Sequence, residues 1–271
     1  MLHNKISVVI IAYNEEAQIA NCIRSVTQIA DEIIVVDSFS TDRTIEISEN
    51  MGATVIQHVF EGHIQQKNWA KDCANYQWVL SLDADEVLSK ELIQSILRFK
   101  TDFIQGNVPQ NLRIGGCSMN RLNHLSGRSI KGCGWYPDKK LRLWNRNLGQ
   151  WTGVNPHDRF ELQTGFEVIH LKGDILHYTY SSKLSVWKQA IKFGNIGAEA
   201  CKNEFVFKIL LKFLSSPILK FIKNYFVKGG ILYGIDGFYI CFCQFIESWI
   251  KYGKGLRLNI TRMLYSNSKN V

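Results

Sequence analysis

The sequence lacks several features that would place a protein in a well-defined class. Its seven cysteines include no Cys-x-x-Cys pair, so we expect reduced packing residues rather than disulfides. The most apolar stretch, residues 229–246, contains Asp236 and glycines and is broken at Gln244 and Glu247, so it falls short of the roughly 20 apolar residues of a spanning helix. The first residues lack the cationic start and apolar run of a signal peptide, which predicts a cytosolic protein.

An acidic excess is also absent, and the positive excess is confined to one end. Residues 201–271 hold 11 basic and 3 acidic residues, whereas the rest of the chain holds 21 of each. Lysines alternate there with large apolar side chains, and no nucleic-acid recognition motif accompanies them. We therefore expect this region to lie at an anionic membrane surface and not to bind nucleic acid. The alternative is a helical hairpin that packs on the protein with its lysines in solvent.

The chain of 271 residues is 46% hydrophobic and 12% aromatic, enough to bury a full core. Apolar runs at residues 6–12, 33–36 and 53–56 alternate with helical patterns at residues 19–26 and 44–51. Strands that are buried on both faces and linked by helices predict an α/β fold with a mostly parallel sheet flanked by helices. Helical patterns return after residue 181 and form a basic, apolar C-terminal extension.

A further apolar run at residues 78–82 predicts another strand. Polar residues follow the first two strands and this one, at residues 13–16, 37–42 and 83–86. Ligands of parallel sheets bind at the carboxyl ends of the strands, so we expect these three loops to converge on one rim. The third loop contains Asp83-Ala84-Asp85, and a hard cation such as Mg²⁺ or Mn²⁺ prefers such oxygen ligands while keeping positions for phosphates. An isolated Asp-x-Asp is also common in solvated turns and helix caps.

Three ordered motifs resemble those of the family 2 inverting glycosyltransferases: SVVIIAYNE at residues 7–15, VVDSFSTD at 35–42 and SLDADE at 81–86. Three shorter segments, GWYPD at residues 134–138, KLRLW at 140–144 and LHY at 176–178, look like the bacterial branch that includes lipopolysaccharide-core glucosyltransferases. The resemblance implies a GT-A fold, a nucleotide-diphosphate sugar donor and a divalent metal. It divides the chain into a nucleotide-sugar-binding half, an acceptor-binding and catalytic half, and a helical membrane-associating region, at residues 1–100, 101–180 and 181–271.

The resemblance also implies residues for the donor site. In the family's pattern they wall the nucleotide pocket or contact the base and the diphosphate: Ala12, Tyr13, Glu15, Asp37, Lys67 and Asn68. Asp85 corresponds to the direct metal ligand, with Asp83 facing the ribose or a metal-bound water and His177 as an additional metal or phosphate contact. Each residue has a simpler alternative: Asp37 as a turn carboxylate, Lys67 as a solvated lysine, His177 as a structural hydrogen-bonding residue.

Inversion requires one carboxylate that takes the proton of the acceptor hydroxyl. Residues 153–159 resemble the place where relatives carry a His-Glu pair, so Asp158 is the candidate base, although Asp is one methylene shorter. Asp138 is the second candidate, with a turn after Pro137 as its alternative. Trp135 is a candidate for stacking on an acceptor sugar or for the core, and Arg142 for binding phosphates or a neighbouring acid. Glu86 is expected either to support the metal site from behind or to be an exposed loop acid.

Together these features predict a membrane-associated glycosyltransferase that moves a hexose from a nucleotide sugar, which the resemblance suggests is a UDP-sugar. The expected acceptor is a lipid-linked or lipopolysaccharide-core saccharide at the inner face of the cytoplasmic membrane. Transfer to polyprenyl phosphate and a non-catalytic, membrane-docked nucleotide-sugar binder are the alternatives. A nucleotidyltransferase is disfavoured because no glycine-rich phosphate loop lies near the N-terminus.

Overall fold

The computed structural model describes residues 5–105, 113–154, 157–202 and 204–268. The chain divides into two compact units, one of residues 1–122 and 137–178 and one of residues 123–136 and 179–271. We call them the sheet unit and the helical unit. The strands are β1 (Ile6–Ala12), β2 (Glu32–Asp37), β3 (Thr54–Gln57), β4 (Trp78–Asp83), β5 (Glu86–Leu88), β6 (Ile114–Leu125), β7 (Arg128–Ser129), β8 (Asp138–Asn145), β9 (Gly149–Val154), β10 (His157–Leu162) and β11 (Glu167–Tyr180). The helices are α1 (Ile19–Val26), α2 (Thr44–Asn50), α3 (His63–Cys73), α4 (Lys90–Gln105), α5 (Lys183–Glu199), α6 (Val206–Ile222) and α7 (Gly234–Ser268).

The first half of the sheet is parallel, as the sequence predicts. Strand β1 lies between β2 and β4, and β3 extends the sheet beyond β2, with every one of these pairs parallel. The register sets Ala12 beside Asp37 and Ile11 beside Asp83, so the three polar loops leave the sheet at the same edge. The predicted α/β class is therefore confirmed, and the expected rim is present.

The second half of the sheet is mixed, because β8 runs against both of its neighbours, β4 and β6. The strands continue from β4 in the order β8, β6, β11 and β5, and the β4–β8, β8–β6 and β11–β5 pairs are antiparallel. Hydrophobic periodicity does not encode strand direction, so this mixed arrangement was not predicted. Its consequence is local: the short β5 follows Asp85 directly, and β11 pairs with it so that His177 opposes Glu86.

Apolar side chains cover both faces of the sheet. One face carries the larger cluster, in which β1, β4, α1 and α4 pack through residues such as Ile10, Leu82, Ile23 and Ile96. On the other face, the β9–β10 hairpin packs on β8, where Trp144 stacks on Phe160 with ring centroids 4.2 Å apart. The second cluster matters for the site because it holds this hairpin, and with it residue 158, against the sheet.

The helical unit consists of α5, α6, α7 and residues 123–136, a segment that interrupts the sheet unit along the chain. This segment contains the end of β6, strand β7 and the loop to residue 136, and its Ile130 and Cys133 share a buried cluster with Ile240 and Cys241. A linear division of the chain at residue 181 does not anticipate this segment, because the pairing of distant segments is not visible in composition.

Helix α7 runs over 35 residues and contains Gln244 and Glu247, the polar residues that interrupt the apolar stretch of the sequence. Gln244 donates to the carbonyl oxygen of Cys133 at 3.0 Å, and Glu247 pairs with Lys220 at 3.3 Å. Polar partners inside the unit therefore satisfy these side chains without ending the helix.

No single helix among the described residues has the length and apolarity that crossing a membrane requires. Segments Val206–Val227 and Gly230–Arg262 meet that test only as a pair, bent by 69°, on length and composition alone.

Gly173 in β11 offers a stability test of the packing behind the rim. Its φ is +98°, and a Cβ there would lie 2.3 Å from the backbone nitrogen of Leu92. We expect Gly173→Ala to lower the free energy of unfolding by about 3 kcal/mol, from backbone strain and from the displacement of α4. Urea unfolding followed by tryptophan fluorescence measures this difference.

Gly165→Ala is the matched control, because its φ is +91° and nothing lies within 4 Å of the added Cβ. We expect it to lower the free energy of unfolding only by the backbone strain, about 1 kcal/mol. Equal losses in the two variants would contradict the close approach of Gly173 to α4.

Candidate active site

The loops after β1 and β2 form one side of the rim. Asn14 donates its backbone N–H to Ser40 Oγ at 2.8 Å, which ties the two loops together. Asp37 is buried, its Oδ1 accepts the backbone N–H of Ser40 at 2.8 Å, and its Oδ2 accepts the Ser40 hydroxyl. Ala12 is buried beside it, whereas Tyr13 is exposed. Asp37 therefore has the geometry of a turn carboxylate that holds the loop, which was its simpler alternative.

Asp83 is held between two cations at the end of β4. Its Oδ1 lies 3.2 Å from Lys67 Nζ, and its Oδ2 lies 3.2 Å from Arg142 Nη2. Burial alone would raise the pKa of Asp83, but the charges of Lys67 and Arg142 hold that pKa well below its usual range. Oδ1 is buried and has no aligned hydrogen-bond donor. One oxygen thus remains able to accept a hydroxyl or a water.

Asp85, two residues later, has different neighbours. Its Oδ2 lies 3.3 Å from His177 Nε2, and its backbone oxygen accepts the N–H of Tyr178 at 3.0 Å. Among the described residues, no lysine or arginine forms an ion pair with Asp85. The structure therefore brings together two of the predicted metal ligands, Asp85 and His177, and leaves the Asp85 carboxylate uncompensated by a fixed cation.

Glu86 is fully buried, which decides between its two alternatives. Its Oε1 lies 2.7 Å from Arg142 Nη2 and 3.7 Å from Arg121 Nη1, and its Oε2 accepts the backbone N–H of Asp83 at 3.0 Å. The side chain therefore points inward under the Asp83–Asp85 turn and fixes its backbone. It is not an exposed loop acid.

Lys67 and Asn68 of α3 connect the rim to the β9–β10 hairpin. Asn68 donates to the carbonyl oxygen of Trp151 and accepts its N–H, both at 2.9 Å. Lys67 is buried, with Nζ 4.7 Å from the centroid of the Trp151 ring and 2.8 Å from Asp158 Oδ2. Lys67 is therefore not a solvated lysine, and Asn68 positions β9.

The two candidate bases differ in their partners. Asp158 in β10 contacts Lys67 through Oδ2. Asp138 at the start of β8 has both oxygens paired, Oδ2 with Arg121 at 2.9 Å and Oδ1 with Lys140 at 3.0 Å. Residues 155 and 156, within the segment that resembles the family's catalytic pair, lie outside the described residues.

Two predicted acceptor residues have other partners in the structure. Trp135 belongs to the helical unit and stacks on Tyr180 with ring centroids 4.8 Å apart. Arg142 is buried among Asp83, Glu86 and the backbone oxygen of Ser81, so it pairs with neighbouring acids.

Arg121 is the network residue that sequence analysis did not single out. It opposes Asp138 in the β6–β8 register and reaches Glu86 as well. Nothing local in the sequence marks it, because its two acidic partners lie 35 residues before it and 17 after it in the chain. Only the antiparallel pairing of β6 with β8 sets Arg121 beside Asp138.

The donor set around Asp85 fits a divalent cation that also binds phosphates. Among the described residues, no three His, Cys, Asp or Glu side chains form a complete metal cage. Mg²⁺ is ordinarily held by one or two carboxylates with waters and substrate phosphates as the other ligands. The uncompensated Asp85 carboxylate and the adjacent His177 imidazole meet that requirement.

Comparison with known proteins identifies the family. The family model of glycosyl transferase family 2 matches residues 7–164, more than half of the chain. The chain belongs to this family. It is therefore a glycosyltransferase, and the resemblance carried by the three motifs is confirmed. Its sheet and C-terminal helical region agree with the expected GT-A class.

Two relatives of this glycosyltransferase align over most of their length. It is 30% identical to an uncharacterized glycosyltransferase of Rickettsia typhi, over 98% of this chain and 90% of the relative. It is 25% identical to a lipopolysaccharide core biosynthesis glycosyltransferase of Rhizobium meliloti, over 86% of this chain and 85% of the relative. Among solved structures, glucosyl-3-phosphoglycerate synthase of Mycobacterium tuberculosis, crystallised with Mn²⁺ and UDP, gives a TM-score of 0.34 at 23% identity, over 44% of each chain.

The buried pair of Arg142 and Glu86 predicts a large effect on the stability of the glycosyltransferase. We expect Arg142→Met to lower the free energy of unfolding by about 3 kcal/mol, because Glu86 stays buried with only the more distant Arg121 as a cation. Adding Glu86→Gln to this variant should recover part of the loss. Chemical denaturation of the three proteins measures both values.

Arg43→Met is the control, because Arg43 pairs with Glu46 on an exposed helix end. We expect a much smaller loss there, because water screens an exposed ion pair. Similar losses in the Arg142 and Arg43 variants would contradict the role given to burial.

Glu15 predicts a pH dependence of stability. Burial, together with the charges of Asp85, Asp42 and Asp83, raises its pKa to about 7. The folded state therefore favours the neutral acid, and this contribution to stability is present at low pH and lost as the pH rises through 7. We expect Glu15→Gln to raise the melting temperature at pH 8 in metal-free buffer and to have little effect at pH 4.

Glu49→Gln on the exposed face of α2 is the matched control and should leave the melting temperature unchanged at both pH values. Scanning fluorimetry provides the comparison. A Glu15→Gln variant that is no more stable than the wild type at pH 8 would refute the raised pKa.

Proposed function

We propose that this glycosyltransferase moves a hexose from a UDP-sugar to a lipid-linked or lipopolysaccharide-core saccharide, with inversion and by direct displacement. The observation that carries the proposal is the Asp85–His177 pair, at 3.3 Å, on the carboxyl edge of a parallel sheet. That edge is where α/β sheets bind nucleotides. Asp83 lies two residues before Asp85, and its Oδ1 accepts no aligned hydrogen bond.

Asp85 and His177 would hold Mg²⁺ or Mn²⁺, which neutralises the charge that develops on a leaving diphosphate. Asp83 accepts a ribose hydroxyl or a water through Oδ1, while Lys67 and Arg142 compensate its charge. The loop of Ala12 and exposed Tyr13 walls the base, and Asp37 keeps that loop in place through Ser40.

Asp158 is the base in this proposal. Lys67 Nζ contacts Asp83 Oδ1 at 3.2 Å and Asp158 Oδ2 at 2.8 Å, so one ammonium joins the donor carboxylate to the acceptor carboxylate. Asp158 would take the proton of the acceptor hydroxyl as that oxygen attacks the anomeric carbon from the side opposite the leaving group. Asp138 is less suited, because Arg121 and Lys140 occupy both of its oxygens.

The acceptor class and the location are supported by two further features. The Rhizobium meliloti relative is named for lipopolysaccharide core biosynthesis. The excess of basic over acidic residues in residues 201–271 favours an anionic surface. We therefore propose that the enzyme works at the inner face of the cytoplasmic membrane.

Calorimetric titration with UDP, GDP and CMP, each with and without Mn²⁺, tests the donor site. We expect metal-dependent binding of UDP that Asp85→Ala weakens at least about tenfold, because the variant loses a direct metal ligand. Glu49→Gln should bind as the wild type does. Equal UDP affinity in the Asp85→Ala protein would reject the metal assignment.

Asp158→Asn separates binding from catalysis when the titration is combined with an assay of sugar transfer. We expect this variant to keep UDP and Mn²⁺ binding and to lose at least about a hundredfold in sugar transfer to a lipopolysaccharide-core acceptor, because only the base is removed. Wild-type protein that binds UDP without transferring sugar to any lipid-linked acceptor would instead favour a nucleotide-sugar binder.

A further inference from the structure

Helix α6 exposes a long series of apolar side chains in addition to the apolar residues that it buries, Ile209 and Pro217. Phe207, Leu211, Leu214, Ile218 and Ile222 recur every three or four residues and are 46–71% exposed. This spacing places them along one side of the helix, which we call the apolar stripe. A helix on the surface of a soluble protein ordinarily turns its apolar stripe to the core and its charges to water.

Two of the three lysines of α6 form partly buried ion pairs. Lys212 pairs with Glu204 at 2.6 Å, and Lys220 pairs with Glu247 of α7 at 3.3 Å. Lys212 and Lys220 are each about two-thirds buried, whereas the stripe faces outward. These ion pairs are only partly buried, but they are less exposed than the apolar stripe, which is the reverse of what water favours.

The exposed apolar surface continues into the turn before α7 and the first residues of α7. Phe226, Val227, Leu232 and Ile235 are 58–80% exposed. Scattered exposed apolar residues need no explanation, but a continuous series of this size marks an interaction site. Lys208, next to the stripe, is exposed, as are Lys223 and Lys228 in the turn.

We propose that the apolar stripe and this turn insert into the headgroup region of an anionic lipid bilayer, with α6 lying in the plane of the membrane. Lysine side chains beside an apolar helix face reach lipid phosphates while their stems stay in apolar surroundings. The choice of the cytoplasmic leaflet rests on the proposed function, whereas the docking surface itself does not.

Charge favours a bilayer over a second copy of the chain. Residues 201–271 hold 11 basic and 3 acidic residues, so two such surfaces would repel each other, whereas anionic lipids attract them. A spanning orientation is disfavoured too, since α6 carries Lys208, Lys212 and Lys220 within 17 residues.

Flotation of the full-length protein with lipid vesicles tests the proposal. We expect binding to phosphatidylcholine vesicles that contain one third phosphatidylglycerol, much weaker binding to pure phosphatidylcholine, and release of bound protein by alkaline carbonate. Leu211→Glu combined with Leu214→Glu and Ile218→Glu should lower the partition coefficient at least about tenfold, because three inserted side chains become charged.

The matched control places the same charges on exposed apolar residues of the sheet unit, through Val59→Glu, Phe60→Glu and Val168→Glu. It should float as the wild type does. Calorimetric UDP binding by both triple variants serves as the folding check. If the wild type does not bind UDP, melting curves serve instead. Failure of the donor-site proposal is thus distinguishable from failure of the docking proposal.

Three outcomes would overturn the docking proposal. They are unchanged flotation of the α6 triple variant, resistance of the bound protein to carbonate, and absence of vesicle binding together with a dimer that the α6 triple variant dissociates. The second outcome would indicate a spanning segment, and the third would assign the stripe to a second copy of the chain.

Discussion

The candidate site depends on a buried charge network beneath the Asp83–Asp85 turn. Glu86 and Arg142 lie out of water, and neither would be tolerated there alone, because an unpaired buried charge costs several kcal/mol. Glu86 also accepts the backbone N–H of Asp83, so the same pair that neutralises the interior fixes the backbone of the turn. The position of the two candidate donor-site carboxylates is thus a consequence of how charges under them are compensated.

This network gives the two aspartates of one short motif different chemistry. Lys67 and Arg142 compensate the charge of Asp83, whereas His177 is the nearest titratable partner of Asp85. A carboxylate already paired with two cations attracts a metal less strongly than one that is not. This difference supports the proposed roles, in which Asp85 holds the metal and Asp83 accepts a hydrogen bond.

Helix α6 departs from the pattern of the sheet unit. The sheet unit buries apolar faces on both sides of its strands, as a protein in water must. Helix α6 turns its apolar stripe outward, while its Lys212 and Lys220 pair with glutamates. An exposed apolar surface of this size favours surroundings that are less polar than water.

The sequence by itself determined the parallel half of the sheet, the rim loops and the family, because apolar runs and short polar motifs are local signals. It also indicated Asp85 and His177, since both follow strand-like segments. The tertiary structure decided what those residues contact: the antiparallel pairing of β8 with β6 that sets Arg121 beside Asp138, the inward turn of Glu86, and the contact of Lys67 with Asp158 across 91 residues. Such pairings depend on strand direction and register, which are set by the packing of the whole sheet and leave no mark on any one segment.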